Sequence, residues 1–505
     1  MTGPALELGA VVLEGKAFPD ARVRMPLSML NRHGLVAGAT GTGKTKTLQL
    51  MAEQMSAAGI PVFLADIKGD VSGVAAPGVD SARTAERATD TGTAWVPTGF
   101  PAEFLSLGGL GSGVPVRATM TSFGPVLLSK VLGLNETQES SLGLVFHFAD
   151  KAGLPLLDLK DLRAVITHLV SDEGKADLKG LGGLSTATAG VVLRELIGLE
   201  DQGGDVFFGE PEFDTADLMR VAPDGRGVMS VMGLAAVQDK PRLFSTFLMW
   251  LLADLFHDLP EVGDVEQPKL VFFFDEAHLL FDDASEAFLE AIARTVRLIR
   301  SKGVGVFFVT QTPKDVPSEV LAQLGNRVQH ALRAFTPDDA KALKATVSTF
   351  PESEAYDLKE LLTSMGIGEA AVTILSERGA PTPVVWTRLR PPASLMAPLD
   401  PAVQAAMVQA SPLLAEYGVA VDRESAYERL LAKVAPEPEP EAAPAPPPEA
   451  PRERSGGDDR DEGGAVAKVL GSSVFKSFAR SAASAAGREI SRSLFGTAPR
   501  RRRRR

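Results

Sequence analysis

The chain has 505 residues, 45% of them hydrophobic and 23% charged, with a mean hydropathy of +0.06. That is enough for about three compact units, and it excludes a fibrous, mainly disordered or small stapled protein. The absence of cysteine removes disulfides, cysteine–zinc sites, iron–sulfur clusters and thiol nucleophiles, and fits a reducing cytosol. The net charge of −12 is unevenly spread: residues 463–505 hold 11 Lys or Arg against one Glu, and the remainder holds 41 basic against 63 acidic residues. An acidic body argues against nonspecific wrapping of nucleic acid, but leaves open a ring that is acidic outside and basic along its pore. The first thirty residues lack a basic start followed by an apolar run, and the best apolar stretch, 246–256, falls short of the ~18 residues a membrane span needs.

Before residue 31, short alternating segments with Gly and Pro suggest one or two strands and a turn, too little for an independent domain. From 33 to about 391, short apolar runs alternate with amphipathic helical stretches, which predicts an α/β fold with a mainly parallel central sheet and helices on both faces. Strands are expected at 34–37, 62–66, 228–232, 270–275, 304–310 and 328–334, each short and apolar, as in strands buried on both sides. The first runs into Gly38-Ala39-Thr40-Gly41-Thr42-Gly43-Lys44-Thr45, which meets every constrained position of a phosphate-binding loop and leads into a helix expected over 45–58. In such a loop, backbone N–H groups close around phosphates at the positive end of the helix. Lys44 reaches the β/γ oxygens, Thr45 offers its hydroxyl to Mg²⁺, and Lys46 joins the nucleotide-binding set. The plain alternative is a glycine-rich turn with an incidental lysine. Asp66-Ile67-Lys68-Gly69-Asp70 ends the second strand and reads either as a contact to nucleotide or a neighbouring subunit, or as a turn built on Gly69. Leu-rich periodicity over 137–152 and 157–170 then marks a helical insertion.

Lys269-Leu270-Val271-Phe272-Phe273-Phe274-Asp275-Glu276 supplies the second element that a phosphate loop needs. Asp275 ends the apolar run where a magnesium shell is held, and Glu276 stands one step further on, suited to polarise an attacking water. The pair points to hydrolysis rather than a binding switch; the alternative is a cap on the following helix. His278 reads as local packing or a hydrogen bond to a neighbouring strand. The strand 304–310 ends in Thr310-Gln311-Thr312-Pro313, where Gln311 is a candidate sensor of the γ-phosphate or simply part of a strand-end turn. Among the clustered Arg294, Arg297, Arg300, Arg327 and Arg333, Arg300 and Arg327 adjoin strand termini and are first choices for an arginine that reaches a neighbouring subunit's nucleotide. The expected catalytic set is thus Lys44, Glu276, Gln311, Arg300 and Arg327, with Thr45 and Asp275 at the metal and with ATP and Mg²⁺ bound.

The resulting organisation has six parts. Residues 1–104 carry the N-terminal strands and first half of an ATPase core, 105–220 a helical insertion, 221–395 the second half, and 396–434 a helical extension. Residues 435–463 form a Pro-rich acidic linker, with 8 prolines among residues 435–451, and 464–505 form a basic tail. In that tail Val466, Leu470, Val474, Phe478, Ile490 and Leu494 recur at helical spacing among Lys468, Lys476, Arg480, Arg488 and Arg492, before six terminal arginines. A basic amphipathic helix of this kind suits an anionic membrane surface, nucleic acid or another subunit.

The phosphate loop, the segments 123–161, 269–283, 296–316 and 324–339, and within them the strings Phe274-Asp275-Glu276-Ala277-His278-Leu279-Leu280-Phe281, Arg297-Leu298-Ile299-Arg300-Ser301-Lys302-Gly303 and Gly325-Asn326-Arg327-Val328-Gln329-His330, resemble the HerA/FtsK group of P-loop ATPases. Within that group the chain looks most like bacterial HerA-like proteins of the YjgR type, over about residues 10–395 and in the general character of the tail. The resemblance implies a RecA-like core, ATP hydrolysis and a homo-oligomeric, hexameric ring. Two departures stand out. Only 37 residues precede the phosphate loop, which leaves no room for the β-barrel with which HerA proper meets a nuclease, and the helical insertion is unlike the FtsK motor. The expected function is an ATP-hydrolysing ring motor on double-stranded DNA. The alternatives are a ring ATPase acting on protein partners or at the membrane surface, and a non-motor ATP-binding scaffold. The expected location is the cytoplasm, or peripheral at the inner face of the membrane.

Overall fold

The structure is a computed structural model; it describes residues 3–434 except 179, 181, 282, 283 and 377. The linker and basic tail expected at 435–505 lie outside the described residues.

Twelve strands form one sheet among the described residues: β1 (Ala5–Leu13), β2 (Lys16–Pro26), β3 (Gly34–Ala37), β4 (Val62–Asp66), β5 (Ala102–Leu107), β6 (Val114–Val116), β7 (Met229–Gly233), β8 (Leu270–Phe274), β9 (Val304–Thr310), β10 (Asn326–Gln329), β11 (Glu369–Thr373) and β12 (Val385–Leu389). Their order is β2-β1-β12-β11-β10-β3-β9-β8-β4-β7-β5-β6. From β10 to β6 every pairing is parallel; from β10 back to β2 every pairing is antiparallel. The opening hairpin is therefore no separate unit: β1 pairs with β12, from the far end of the folded chain.

The central strands β3, β4, β8 and β9 are buried at every position, which explains their unbroken apolar runs in place of alternation. Helices cover both faces, and the phenylalanines of β8 stack across the pleat. Phe273 lies 5.1 Å from Phe307 and Phe272 lies 5.2 Å from Phe63, ring centroid to ring centroid. Aromatic pairs at this spacing add to the area they bury. They also fix the register that brings the ends of β8 and β9 level.

Several expected elements shift. The strand expected at 328–334 is Asn326–Gln329: His330 N still donates to Ala37 O of β3, and beyond it the chain turns to another partner, Leu332 N donating to Leu362 O. The strand expected at 228–232 is Met229–Gly233, and the one expected at 270–275 stops at Phe274, which leaves Asp275 in the turn. Residues 105–220 hold the helices Met120–Val131, Glu136–Lys151, Leu159–Val170 and Thr186–Leu199, but also the end of β5 and all of β6, so the sheet runs further than a purely helical insertion allows. Capping boxes start two of these helices, Asn135 with Gln138 and Asp158 with Asp161. Residues 396–434 fold back on this region: the buried Tyr417 donates its hydroxyl to Asp217 Oδ2 at 2.8 Å and packs on Phe213, and Tyr427 N donates to Asp161 Oδ1 at 3.0 Å.

One topological fact positions the site. The strand before the phosphate loop, β3, is separated from β8 by β9, and all three run parallel. Their carboxyl ends, and that of β4, consequently open on the same edge of the sheet, where ligands of parallel α/β folds bind.

Candidate active site

The loop after β3 leads into helix α1 (Lys44–Ala57). Its first two amides are tied to neighbouring strands, Gly38 N to Thr310 O at 3.2 Å and Ala39 N to Ala331 O at 2.9 Å. Thr40 and Gly41 form the exposed apex, and Thr42 folds its hydroxyl onto Ala39 O at 2.7 Å. Two glycines are obligatory for different reasons. A Cβ on Gly38 would lie 2.4 Å from His330 Cβ, and Gly43 caps α1 at φ 114°, a conformation side-chain-bearing residues avoid. Gly43 brings no side-chain cap, so the first amides of α1 are left for a ligand at the positive end of the helix. Lys44 is buried and arches back over the loop, donating to Gly38 O at 2.7 Å and Ala39 O at 3.3 Å. Burial pulls its ammonium below the ordinary lysine range, against the opposing charge of Glu276. Thr45 and Lys46 follow on the first turn, half-buried; burial lowers Lys46 too, with Asp70 and Asp66 opposing.

Across the edge, Asp275 is 1% exposed. Its Oδ1 accepts from Glu276 N at 2.9 Å, while its Oδ2 is buried with no protein partner. Burial, with the charge of Glu276 added, pushes this carboxyl up to about 7 against the hydrogen bond from Glu276 N. The carboxylate bonds the adjacent amide and leaves its other oxygen available to a ligand. Glu276 is also buried, and its φ of 46° is rare for a residue with a side chain. Its Oε1 is bonded by Lys68 Nζ, and its Oε2 lies 3.2 Å from His278 Nδ1. Burial would raise the Glu276 carboxyl; the Lys68 bond and charge, then His278 and Lys44, outweigh it and hold the group below its usual range.

The turn after β4 is the one built on Gly69. Buried Asp66 accepts from the amides of Gly69 at 2.7 Å, Asp70 at 3.2 Å and Val71 at 3.1 Å, with Gly69 at φ 75°, while Lys68 projects from the same turn to Glu276. The turn after β9 is locked by Asp315, whose carboxylate takes the Thr310 and Thr312 hydroxyls and the Thr312 amide. Gln311 stands exposed at its start, on the same edge as Lys44.

The sequence profile of the family described as Helicase HerA-like C-terminal matches residues 12–504. The chain belongs to that family. It is a P-loop ATPase. Among solved structures it is similar to the plasmid coupling protein TrwB. In complex with the non-hydrolysable ATP analogue ADPNP, TrwB is 16% identical with a TM-score of 0.53, covering 79% of this chain and 97% of its own. In complex with ADP and Mg²⁺ it is 16% identical with a TM-score of 0.51, covering 78% and 99%. With the GTP analogue GDPNP the values are 16%, 0.52, 80% and 98%. At this identity the likeness is one of fold, a RecA-like P-loop core. No curated protein matches the chain.

In this HerA-like chain Arg300 and Arg327 do not join the loop and acid pair. Both line a cavity of about 630 Å³ with Arg32, His33 and Arg297 at the amino ends of the strands. Arg300 and Arg32 share one Asp264 oxygen at 3.1 Å each, and Arg327 donates to Thr349 O at 3.2 Å over the Phe350 ring. Two features of the site went unread in the sequence. Buried His330 joins the strand end to α1, its Nε2 2.8 Å from Thr47 Oγ1; burial first, then the Lys44 charge, lowers it to about 4, so the ring is neutral. A cavity of about 700 Å³ also opens beside Gly43, Lys46 and Thr47, walled by Arg83 and Arg87 of helix α2 (Ala82–Asp90) and by Gly368. Its walls come from segments far apart in the chain and carry no contiguous motif.

Proposed function

We propose that this HerA-like ATPase binds MgATP across the carboxyl edge of its sheet and hydrolyses it in a homo-oligomeric, six-membered ring that acts on double-stranded DNA. The observation that carries the reading is the convergence of Lys44, Asp275 and Glu276 on one edge, while the arginine cavity lies at the opposite ends of the strands, as an arginine acting on another subunit's nucleotide would. The residues fit the nucleotide and its cation: a glycine-built loop at Gly38–Thr45 that leaves the first amides of α1 without a side-chain cap, and a buried Asp275 oxygen with no partner among the described residues. Thr40, Gly41, Thr42 and Gly43 would wrap the phosphates with their backbone, on a base that Gly38 and Ala39 tie to the neighbouring strands, Lys44 would neutralise the β and γ oxygens, and Thr45 and Asp275 would hold Mg²⁺. When bound, the cation would neutralise negative charge on the phosphates. Glu276 accepts the proton of the attacking water, Gln311 orients the terminal phosphate, and Lys46 with the 700 Å³ cavity accommodates the sugar and base. Arg300 or Arg327 then serves a neighbouring site. TrwB binding of ADPNP and of ADP with Mg²⁺ supports the choice of ligand, and the helicase description of the family supports nucleic acid as the polymer.

Steady-state ATP hydrolysis with and without linear double-stranded DNA, at two salt concentrations and against a Lys44→Ala background, tests this. Strong, salt-sensitive stimulation is expected; turnover indifferent to DNA contradicts the DNA part and leaves the ATPase standing. The charge split between acidic body and basic tail favours a second reading, work at a cytoplasmic membrane surface or on a protein partner. No described helix is long and apolar enough to cross a membrane. On that reading, removing residues 464–505 abolishes binding to anionic vesicles and leaves hydrolysis intact.

A further inference from the structure

Glu276 is the group that must take a proton from water, yet Lys68 occupies its Oε1 and His278 stands 3.2 Å from its Oε2. The two partners of the Lys68–Glu276 pair differ in freedom. The Glu276 side chain is 5% exposed and its backbone is held in a left-handed turn with its amide bonded to Asp275. The Lys68 side chain is 45% exposed, rises from the turn anchored by Asp66, and has Glu276 as its hydrogen-bond partner. Any rearrangement that frees the pair therefore moves the lysine. Lys68 also lies within electrostatic range of Lys44, the residue that reaches the terminal phosphates in a loop of this kind, and each ammonium feels the same Glu276 and Asp275 carboxylates. Two ammonium groups thus flank the region into which a γ-phosphate would project, one from the phosphate loop and one from the turn after β4.

We propose that Lys68 is a second cation for the γ-phosphate, and that it exchanges between Glu276 and that phosphate. With a diphosphate bound it stays on Glu276 and competes with the water that the carboxylate must polarise. With a triphosphate bound it transfers its charge-assisted hydrogen bond to the γ oxygens and leaves Glu276 Oε1 free. The exchange swaps one anionic acceptor for another; the ammonium keeps its three protons and no bond is made or broken. The terminal phosphate would thereby release the base that activates the attacking water, and a product site without that phosphate would return to the blocked state. This inference rests on the ATPase site alone, so the absence of DNA stimulation leaves it untouched.

The test is equilibrium binding of ADPNP and of ADP, each with Mg²⁺, to the full chain and to Lys68→Met, Glu276→Gln and the double variant. Lys68→Met keeps the aliphatic stem at a largely exposed position, and ADP binding serves as its folding control. The expected result is ADPNP affinity reduced by about tenfold in Lys68→Met, with ADP affinity changed by less than about twofold. Glu276→Gln removes the anion that competes for the lysine, so it should tighten ADPNP more than ADP, and that gain should disappear in the double variant. Equal loss of both nucleotides in Lys68→Met, or none, overturns the proposal. So does a Glu276→Gln gain that persists undiminished without Lys68, because the two side chains would then act independently.

Discussion

The two ends of the parallel strands carry opposite kinds of charge arrangement. At the carboxyl end, Lys44, Lys68, Asp275 and Glu276 form a compact set of both signs, held by glycine-dependent loops and buried except for Lys68. At the amino end, Arg32, Arg297, Arg300 and Arg327 line an open cavity, and the exposed Asp264 pairs with two of them. The first arrangement is self-contained and explains binding and proton transfer within one chain. The second has surplus positive charge and no reacting group, which makes it useful only against an anion brought from outside. In the proposed ring a neighbouring subunit's bound nucleotide would be such an anion, with each kind of end set against the other.

The sharpest way to break this comparison is at the amino end. Arg300→Ala should lower ATP turnover by roughly 10³-fold or more, the usual scale for an arginine acting on a transferred phosphoryl group, with nucleotide affinity little changed. Turnover close to wild type would reduce that end to a surface feature. Arg327 is engaged with Thr349 and Phe350, so its replacement by Ala should cost less. At the carboxyl end, Glu276→Gln should slow hydrolysis by about 10²- to 10⁴-fold, the range for removal of a general base, while ADPNP binding is retained. Loss of binding together with turnover would instead make Glu276 a structural residue.

Two smaller effects concern what holds the ends in register. Phe273→Ala, in the fully buried β8, should destabilise the fold by about 3–5 kcal/mol in a denaturant titration. A cost under about 1 kcal/mol would mean that the aromatic stack does not fix the strand ends. Asp275 gives the pH signature. Its folded-state pKa is raised to about 7 from an ordinary 3.8, so the folded chain binds the proton more tightly than the unfolded one. Its contribution to stability is complete below about pH 4 and is lost as the pH rises through about 7. Asp275→Asn carries no such loss. Without nucleotide, its Tm should exceed that of the wild type by a few degrees at pH 8 and match it near pH 4. An equal offset at both values would contradict the buried, unpaired state of this carboxyl.

What could be read from the sequence divides along the same line. The loop from Gly38 to Thr45 and the step from Phe274 to Asp275 and Glu276 are contiguous, and each depends on a strand running directly into a turn, so local pattern is enough. The parallel α/β class is legible for the same reason, because strands buried on both faces appear as short unbroken apolar runs. Contacts between distant segments were not legible. Lys68 and Glu276 are 208 residues apart, and Thr47 and His330 are 283 apart. Nothing in either neighbourhood encodes the other; the pairing follows from the strand order that sets β4 beside β8 and β10 beside β3. The hairpin of β1 and β2 gives no local sign that it will extend the sheet through β12, since antiparallel alternation fits any free edge. Strands β5 and β6 were hidden in a Leu-rich stretch because three to six residues are too few to override a helical period around them.

The most direct test of the account mixes the two ends. Glu276→Gln subunits have an intact amino end and a dead carboxyl end, and Arg300→Ala subunits have the reverse. Co-assembled in equal amounts, roughly a quarter of the interfaces in a random ring join the two intact ends. Steady-state ATP hydrolysis of the mixture should therefore recover to roughly a quarter of the wild-type rate, far above either variant alone. A rate no higher than the average of the two separate variants would contradict the account, because the two ends would then not meet across a subunit boundary.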